Sequence, residues 1–188
     1  MNRSSLPATG APAGLATGTW RIDPVRSSVT FSVRHLMIRM RGRFREVGGQ
    51  IVIGEALASC SVAASIATVS VDTGRRMRDD DLRTAAFLDC ANYPSMGFTS
   101  TGITAEDTRF TLAGDLAIRG VTRRVAVEGE FLGLGETGPH GEPRAWFSGR
   151  TALRRSDFRV GDSPVKGNKA VVGDTVTVEL DVEAFLDR

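Results

Sequence analysis

Apolar residues recur at every second position along most of the chain from Trp20 onward. Val29, Phe31, Val33 and Met37 share one parity, as do Phe110, Leu112 and Leu116, then Val125, Val127 and Phe131, then Val176, Val178, Leu180 and Val182. A period of two carried by β-branched and aromatic side chains describes strands with one face buried and the other in water. Turn signals separate them: Asp23-Pro24, Gly48-Gly49, Asp72-Thr73-Gly74, Tyr93-Pro94, Arg119-Gly120 and Val172-Gly173-Asp174. The pattern predicts an all-β chain of about eight antiparallel strands, many roughly ten residues long, with no helical stretch between most neighbours. Strands of that length favour a closed barrel over a small sandwich.

The one helical pattern runs from Asp79 to Leu88. Asp79, Asp80 and Asp81 would meet the positive end of the helix dipole, while Leu82, Ala85 and Ala86 fall three and four apart on one face. Asn92-Tyr93-Pro94 then returns the chain to an extended form. An amphipathic helix between barrel strands, with Leu82 turned inward, is expected near the barrel mouth.

From His35 to Arg45 the alternation contradicts itself. The parity that is apolar through Val33 and Met37 continues as Arg39, Arg41, Arg43 and Arg45, and four arginines cannot share an apolar face. A bulge between Leu36 and Met40 would slip the register, sending the arginines out and Met40 and Phe44 in. Otherwise the arginines face a wet opening, where they could fork onto an anionic head group, or, as a weaker alternative, contact nucleic acid.

Composition narrows the partners. The 188 residues carry 24 Lys plus Arg against 22 Asp plus Glu, a net charge of +2, too small for a field that would select nucleic acid or an acidic membrane. Only Lys166 and Lys169 are lysines, so Schiff-base chemistry is not expected. Cys60 and Cys90 are isolated and read as free thiols in a reducing compartment, with a single disulfide as the alternative. Residues 1–19 lack an apolar run and read as a flexible N-terminal tail without a secretory signal, so the expected location is cytoplasmic. The match of Leu6-Pro7-Ala8-Thr9-Gly10 to a sorting motif lacks the apolar segment such signals need. No stretch is apolar enough for a spanning helix, and no stable membrane insertion is expected.

Few motifs offer chemistry. Gly133-Leu134-Gly135-Glu136-Thr137-Gly138 resembles a dinucleotide fingerprint, but Pro139 and Pro143 follow where a helix should open, so it reads as a hairpin loop. With only His35 and His140 present, no multi-histidine zinc site can be built. His35 is either a hydrogen-bonded core residue or a polar anchor in a pocket. A pairing of His35 with Cys60, Cys90 or Asp79 to Asp81 would be the basis of an enzyme, but neither cysteine sits where its thiolate would be favoured. No cofactor and no metal are expected.

Taken together, these residues resemble the YceI-like family of lipocalin-like, polyisoprenoid-binding barrels. The resemblance rests on Trp20-Arg21-Ile22-Asp23-Pro24, Val29 to Leu36, Arg41-Gly42-Arg43-Phe44, Val71-Asp72-Thr73-Gly74, and Arg78-Asp79 with Leu82-Arg83 and Phe87. It continues through Tyr93-Pro94, Phe98-Thr99-Ser100, Gly114 to Thr122, Arg155-Ser156-Asp157-Phe158 and Val172-Gly173-Asp174. It implies a single barrel domain over 20–188, an eight-stranded antiparallel lipocalin-like barrel with one or two short helices near its mouth. It also implies an apolar channel for a long isoprenoid chain, no metal, no established catalysis and often a homodimer. Arg26 and Asp81 stand where the family usually has histidine, and Arg159 where it usually has glycine.

On this reading the chain binds a long-chain apolar ligand, a polyisoprenoid or isoprenoid quinone, for carriage or storage. Parity nominates Phe31, Val33, Ile66, Phe98, Leu116, Trp146 and Val178 as ligand-binding wall residues, with His35 as a polar anchor. The competing readings are a barrel-fold enzyme or stress-response protein built on His35, and a barrel with a filled interior that works through its arginine surface.

Overall fold

A computed structural model describes residues 14–138, 141–161 and 172–187. The chain forms β1 (Gly18–Ile22), β2 (Ser28–His35), β3 (Ile38–Phe44), β4 (Val47–Ile53), β5 (Ser61–Ala67) and β6 (Val71–Asp72). The helix α1 (Arg76–Arg83) follows, and then β7 (Ser95–Glu106), β8 (Arg109–Ile118), β9 (Val121–Leu134), β10 (Arg144–Arg154) and β11 (Val172–Leu186). Neighbouring strands run β1-β4-β5-β7-β8-β9-β10-β11, and β1 pairs back onto β11, closing the sheet. β11 lies against β1 through Ala184 to Leu186 and against β2 through Val172 to Asp181, so β1 and β2 are one bent strand. β3 with β4, and β5 with β6, are likewise halves of bent strands. The result is the closed eight-stranded antiparallel barrel that the alternation predicts.

Antiparallel order sorts the connections into two ends. The β2–β3 turn, the path from β6 through α1 to β7, the β8–β9 turn and the 155–161 segment lie at one end, here the upper. The β4–β5, β7–β8 and β9–β10 connections lie at the lower end with the start of β1. Two buried clusters follow this division. Trp20, Ile53, Phe131, Ala145, Phe147 and Ala184 pack at the lower end, and Val29, Phe44, Val47, Val71, Leu88 and Met96 pack toward the upper.

The arginine paradox is resolved by a turn and not by the expected bulge. His35 pairs with Ile38, leaving Leu36 and Met37 as a two-residue hairpin loop, with Leu36 at φ 53°. Reversal of the chain, not a slip of register, moves the apolar parity from odd to even: Val33 faces Met40, Phe31 faces Gly42 and Val29 faces Phe44. Arg39, Arg41, Arg43 and Arg45 are exposed on the outer face.

The helix starts three residues before the predicted Asp79 and ends at Arg83, short of Leu88. Of the three aspartates only Asp79 falls in the first turn, with Asp80 and Asp81 beyond it. Asp79 is buried, and its carboxylate accepts from the backbone N–H (2.8 Å) and hydroxyl (2.6 Å) of Thr73. Thr84 ends the helix, its hydroxyl donating to the Asp81 carbonyl. Leu82 does pack inward, against the upper cluster.

Packing extends to residues just before Trp20. Leu15 is buried in the lower cluster, and the Ala16 carbonyl accepts from the Trp20 indole at 3.0 Å. The barrel unit therefore includes residues before Trp20. The rest of the tail, with the sorting-motif match at residues 6–10, lies outside the described residues.

Candidate functional site: the barrel lumen

Alternation places one face of every strand inside the ring, and these faces do not fill it. They enclose a cavity of about 350 Å³, within the range of small-molecule sites. Its lining reaches from Leu15, Leu57 and Phe110 at the lower end to Phe87, Val160 and Val172 at the upper. The wall formed by the described residues is apolar: Arg109, Ser148, Thr151 and Arg155 contribute to the lining, yet among the described residues no polar surface faces the cavity.

Glycines help keep the lumen open. Phe31 lies directly across from Gly42 and Phe110 across from Gly129. A Cβ at Gly42 would come within 2.4 Å of the Phe31 ring, and one at Gly129 within 2.3 Å of the Phe110 ring. Each ring lies over a neighbouring strand where a side chain is missing, so it covers the wall instead of crossing the channel.

Of the residues nominated by parity, Phe31, Val33, Ile66, Phe98, Leu116 and Val178 line the cavity. Trp146 does not. It is 41% exposed, on the outer face, where its indole approaches Glu183 and its ring lies beside Gly135. Phe147 points inward in its place, next to a register shift between Trp146 and Phe147. Arg144, Arg150 and Arg154 share Trp146's parity, and that charged set is the signal that could have assigned it outward. His35 is half-buried at the upper end of β2, paired with Ile38 and Val172, and is not part of the lining. Residues missed by parity include Leu15, Phe87, Phe158 and Val160, which lie in segments without strand alternation.

Of the groups considered for catalysis, Cys60 lines the lumen while His35, Cys90 and Asp79 to Asp81 do not, so they are not brought together there. Asp79 is committed to Thr73, and the Cys60 thiol accepts from the Gly54 N–H at the lower end, across the barrel from His35. Both cysteines are free, Cys60 against the lower cluster and Cys90 against the upper. Among the described residues no cluster of His, Cys, Asp or Glu could hold a metal. His140 lies outside the described residues.

Polar groups close the two ends in different ways. Near the lower end, Arg144 bonds Glu183, Asp23 (3.0 Å) and Glu142 (3.2 Å), binding the β1–β2 corner to β10 and β11. Burial pushes the Asp23 carboxyl up, but the Val25 N–H, Arg144 and the Arg26 N–H outweigh it and hold it below its ordinary value. Glu183 is likewise raised by burial and more strongly lowered by Arg144, Trp146 and Arg26. At the upper end arginines bond backbone carbonyls. Arg119 reaches those of Arg159 and Ala85, and Arg155 those of Gly173, Val160, Gly161 and Val172. Arg159 has φ 58°, a left-handed conformation that accounts for glycine being easier there.

A YceI-like domain model matches residues 20–184. The chain belongs to the YceI-like family. It is 35% identical to protein YceI of Escherichia coli O157:H7, covering 85% of this chain and 88% of that one. A UPF0312 protein of Vibrio parahaemolyticus is 32% identical over 96% of this chain and 97% of its own. Among solved structures, Burkholderia cenocepacia BcnA superposes with a TM-score of 0.76 at 24% identity, covering 86% of this chain and 98% of that one. A domain from Saccharophagus degradans, described as polyisoprenoid binding, superposes with a TM-score of 0.71 at 15% identity, covering 92% and 100%. At those identities the two superpositions speak for the fold.

Proposed function

We propose that this YceI-like chain binds the tail of a long apolar molecule of the polyisoprenoid or isoprenoid-quinone class inside the barrel, for carriage or storage and without catalysis. The observation that carries this reading is the lumen wall: a cavity of about 350 Å³ on which the described residues place no polar surface. The Saccharophagus degradans domain, with the same fold and a polyisoprenoid ligand in its description, favours a prenyl chain over other apolar tails. Burying one five-carbon prenyl unit is worth roughly 4 kcal/mol gross at about 0.8 per methylene. A few units therefore approach the ceiling of about 18–21 kcal/mol on non-covalent affinity, and no polar anchor is needed for tight binding. The head group would stay outside the lumen, because the described lining offers it no polar partner. The free thiols of Cys60 and Cys90 suit a reducing cytoplasm.

The test is organic extraction of the purified protein followed by mass spectrometry. A stoichiometric prenyl lipid is the expected result. Protein that carries no lipid and fails to bind a fluorescent prenol analogue would overturn the reading.

A further inference from the structure

The β2–β3 hairpin carries three adjacent large apolar side chains into solvent: Leu36 is 62% exposed, Met37 97% and Ile38 67%. Isolated exposed apolar residues are ordinary, but a contiguous group at a turn tip is not. The backbone adds to the oddity. Leu36 has φ 53°, at the first central position of a two-residue turn, where glycine is the usual residue. Glycine would form the turn more easily, so the fold does not explain the leucine.

Behind the tip the outer face is cationic. Arg34 and Arg39 lie directly opposite each other across the hairpin, with Arg41 next on the same face, and all three are exposed. Like charges in direct cross-strand register are unfavourable. No carboxylate among the described residues lies within ion-pair distance of any of the three, whereas Arg43 and Arg45, one step further from the tip, share Asp72. Further down the same face on β11 the sign reverses at the exposed Glu179 and Asp181. The cationic group is therefore confined to the neighbourhood of the apolar tip.

We infer that this hairpin is a docking element for an anionic lipid bilayer, with Leu36, Met37 and Ile38 entering the interface and Arg34, Arg39 and Arg41 meeting lipid phosphates. Apolar side chains at the leading point with arginines set just behind match the layering of a bilayer surface. The net charge of +2 is too small to bring the whole molecule to a membrane, so attachment depends on this local arrangement. The docked end is the upper one, where Val33 and Val172 line the cavity beside the hairpin. A prenyl chain leaving a bilayer would meet the barrel there.

Flotation of the full chain with vesicles of phosphatidylcholine alone, or with 30% phosphatidylglycerol, tests this. An arginine near an anionic surface is worth about a five-fold factor in partitioning, so R39S/R41S should weaken binding to the anionic vesicles roughly 30-fold. Met37→Asp should weaken it by about ten-fold or more, since it removes apolar insertion and adds repulsion. Leu36→Gly suits the local φ and removes apolar surface without disturbing the turn, so it keeps the test open if Met37→Asp misfolds. Leu132→Asp, exposed on β9 at the lower end, should float like the unmodified chain. Docking is overturned if the unmodified chain stays unbound to anionic vesicles, or if Met37→Asp and Leu36→Gly float as well as it does. Prenol binding in free solution should be unchanged in these variants, which separates failure of docking from failure of the lumen reading.

Discussion

Gly129→Ala tests whether the lumen is held open by rings laid over glycine. The nearest atoms to a new Cβ there all belong to the Phe110 ring, two of them at 2.3 Å, and they would have to retreat to ordinary contact at 3.4 Å or beyond. Phe110 packs edge-on against Phe147 with centroids 6.3 Å apart, so its free direction is the lumen. If the backbone yields instead, overpacking costs about 1–3 kcal/mol. At roughly 2–4 °C per kcal/mol for a chain of this size, that is a fall in Tm of about 2–12 °C. If the ring swings inward, it displaces about one prenyl unit, worth up to roughly 4 kcal/mol, and affinity should fall by one to three decades. Titration with a fluorescent prenol analogue and a thermal melt would measure both. Phe110→Leu in the same chain should restore most of the lost affinity, with a coupling of about 0.5–3 kcal/mol between the two changes. The reasoning fails if Gly129→Ala binds as tightly as the unmodified chain, or if the two substitutions are simply additive.

Phe98→Asp should weaken prenol binding by at least about tenfold, because a charge in a dry wall costs several kcal/mol, while Arg41→Ser, on the outer face, should leave it unchanged. Equal losses in the two titrations would count against a lumen site. Arg144→Ala strands Asp23 and Glu183 near the lower end and should cost on the order of 2–3 kcal/mol, the buried-pair figure discounted for the 14% of the Arg144 side chain that still meets water. Both carboxyls are held below their ordinary values of 3.8 and 4.5, so their stabilising contribution is complete above those values and is lost as pH falls through the depressed ones. The Tm difference between the unmodified chain and Arg144→Ala should accordingly be largest above about pH 5 and shrink in acid; a constant difference would show that Arg144 acts through packing alone.

Much of the barrel was legible because a strand buried on one face repeats its chemistry every two residues, and β8, β9 and β11 keep that repeat without interruption over most of their length. It was less legible where the chain turns without the residues that mark turns. Leu36 adopts positive φ with no glycine or asparagine to announce it, so alternation alone places Met37 and the arginines on the parity of Val33. At Trp146 the register shift beside Phe147 hides which parity faces inward, and an aromatic side chain stands on the face that also carries the charged residues. The upper rim was invisible to alternation, since Phe87, Phe158 and Val160 reach the cavity from a short helix's exit and a turn, segments without a repeat. Leu15 was lost in a stretch whose composition is that of a linker. It is buried in a cluster that joins the nearby Trp20 to Phe131 and Phe147, more than a hundred positions away.

An unfilled apolar lumen is costly, and that cost bears on how the rest of the molecule is built. At about 24 cal/mol per Å³, a cavity of about 350 Å³ corresponds to roughly 8 kcal/mol, comparable to the net stability of about 5–15 kcal/mol typical of a domain. Collapse of the wall would recover that energy, so something must prevent it. Ring closure gives the strands two neighbours each, apart from the two-residue β6, which pairs only with β3 among the described residues, so a long strand cannot move inward without breaking ladders on both sides. At the lower end Trp20, Ala145 and Ala184 are at or below 1% exposure, and the Arg144 cluster ties the strands that meet there through ion pairs. The upper end relies more on guanidinium bonds from Arg119 and Arg155 to backbone carbonyls, contacts that water can replace. The upper end is thus the one held by single guanidinium-to-carbonyl contacts instead of the ion pairs of Arg144. An apolar occupant entering there would recover in binding part of the energy that the empty barrel forgoes in folding.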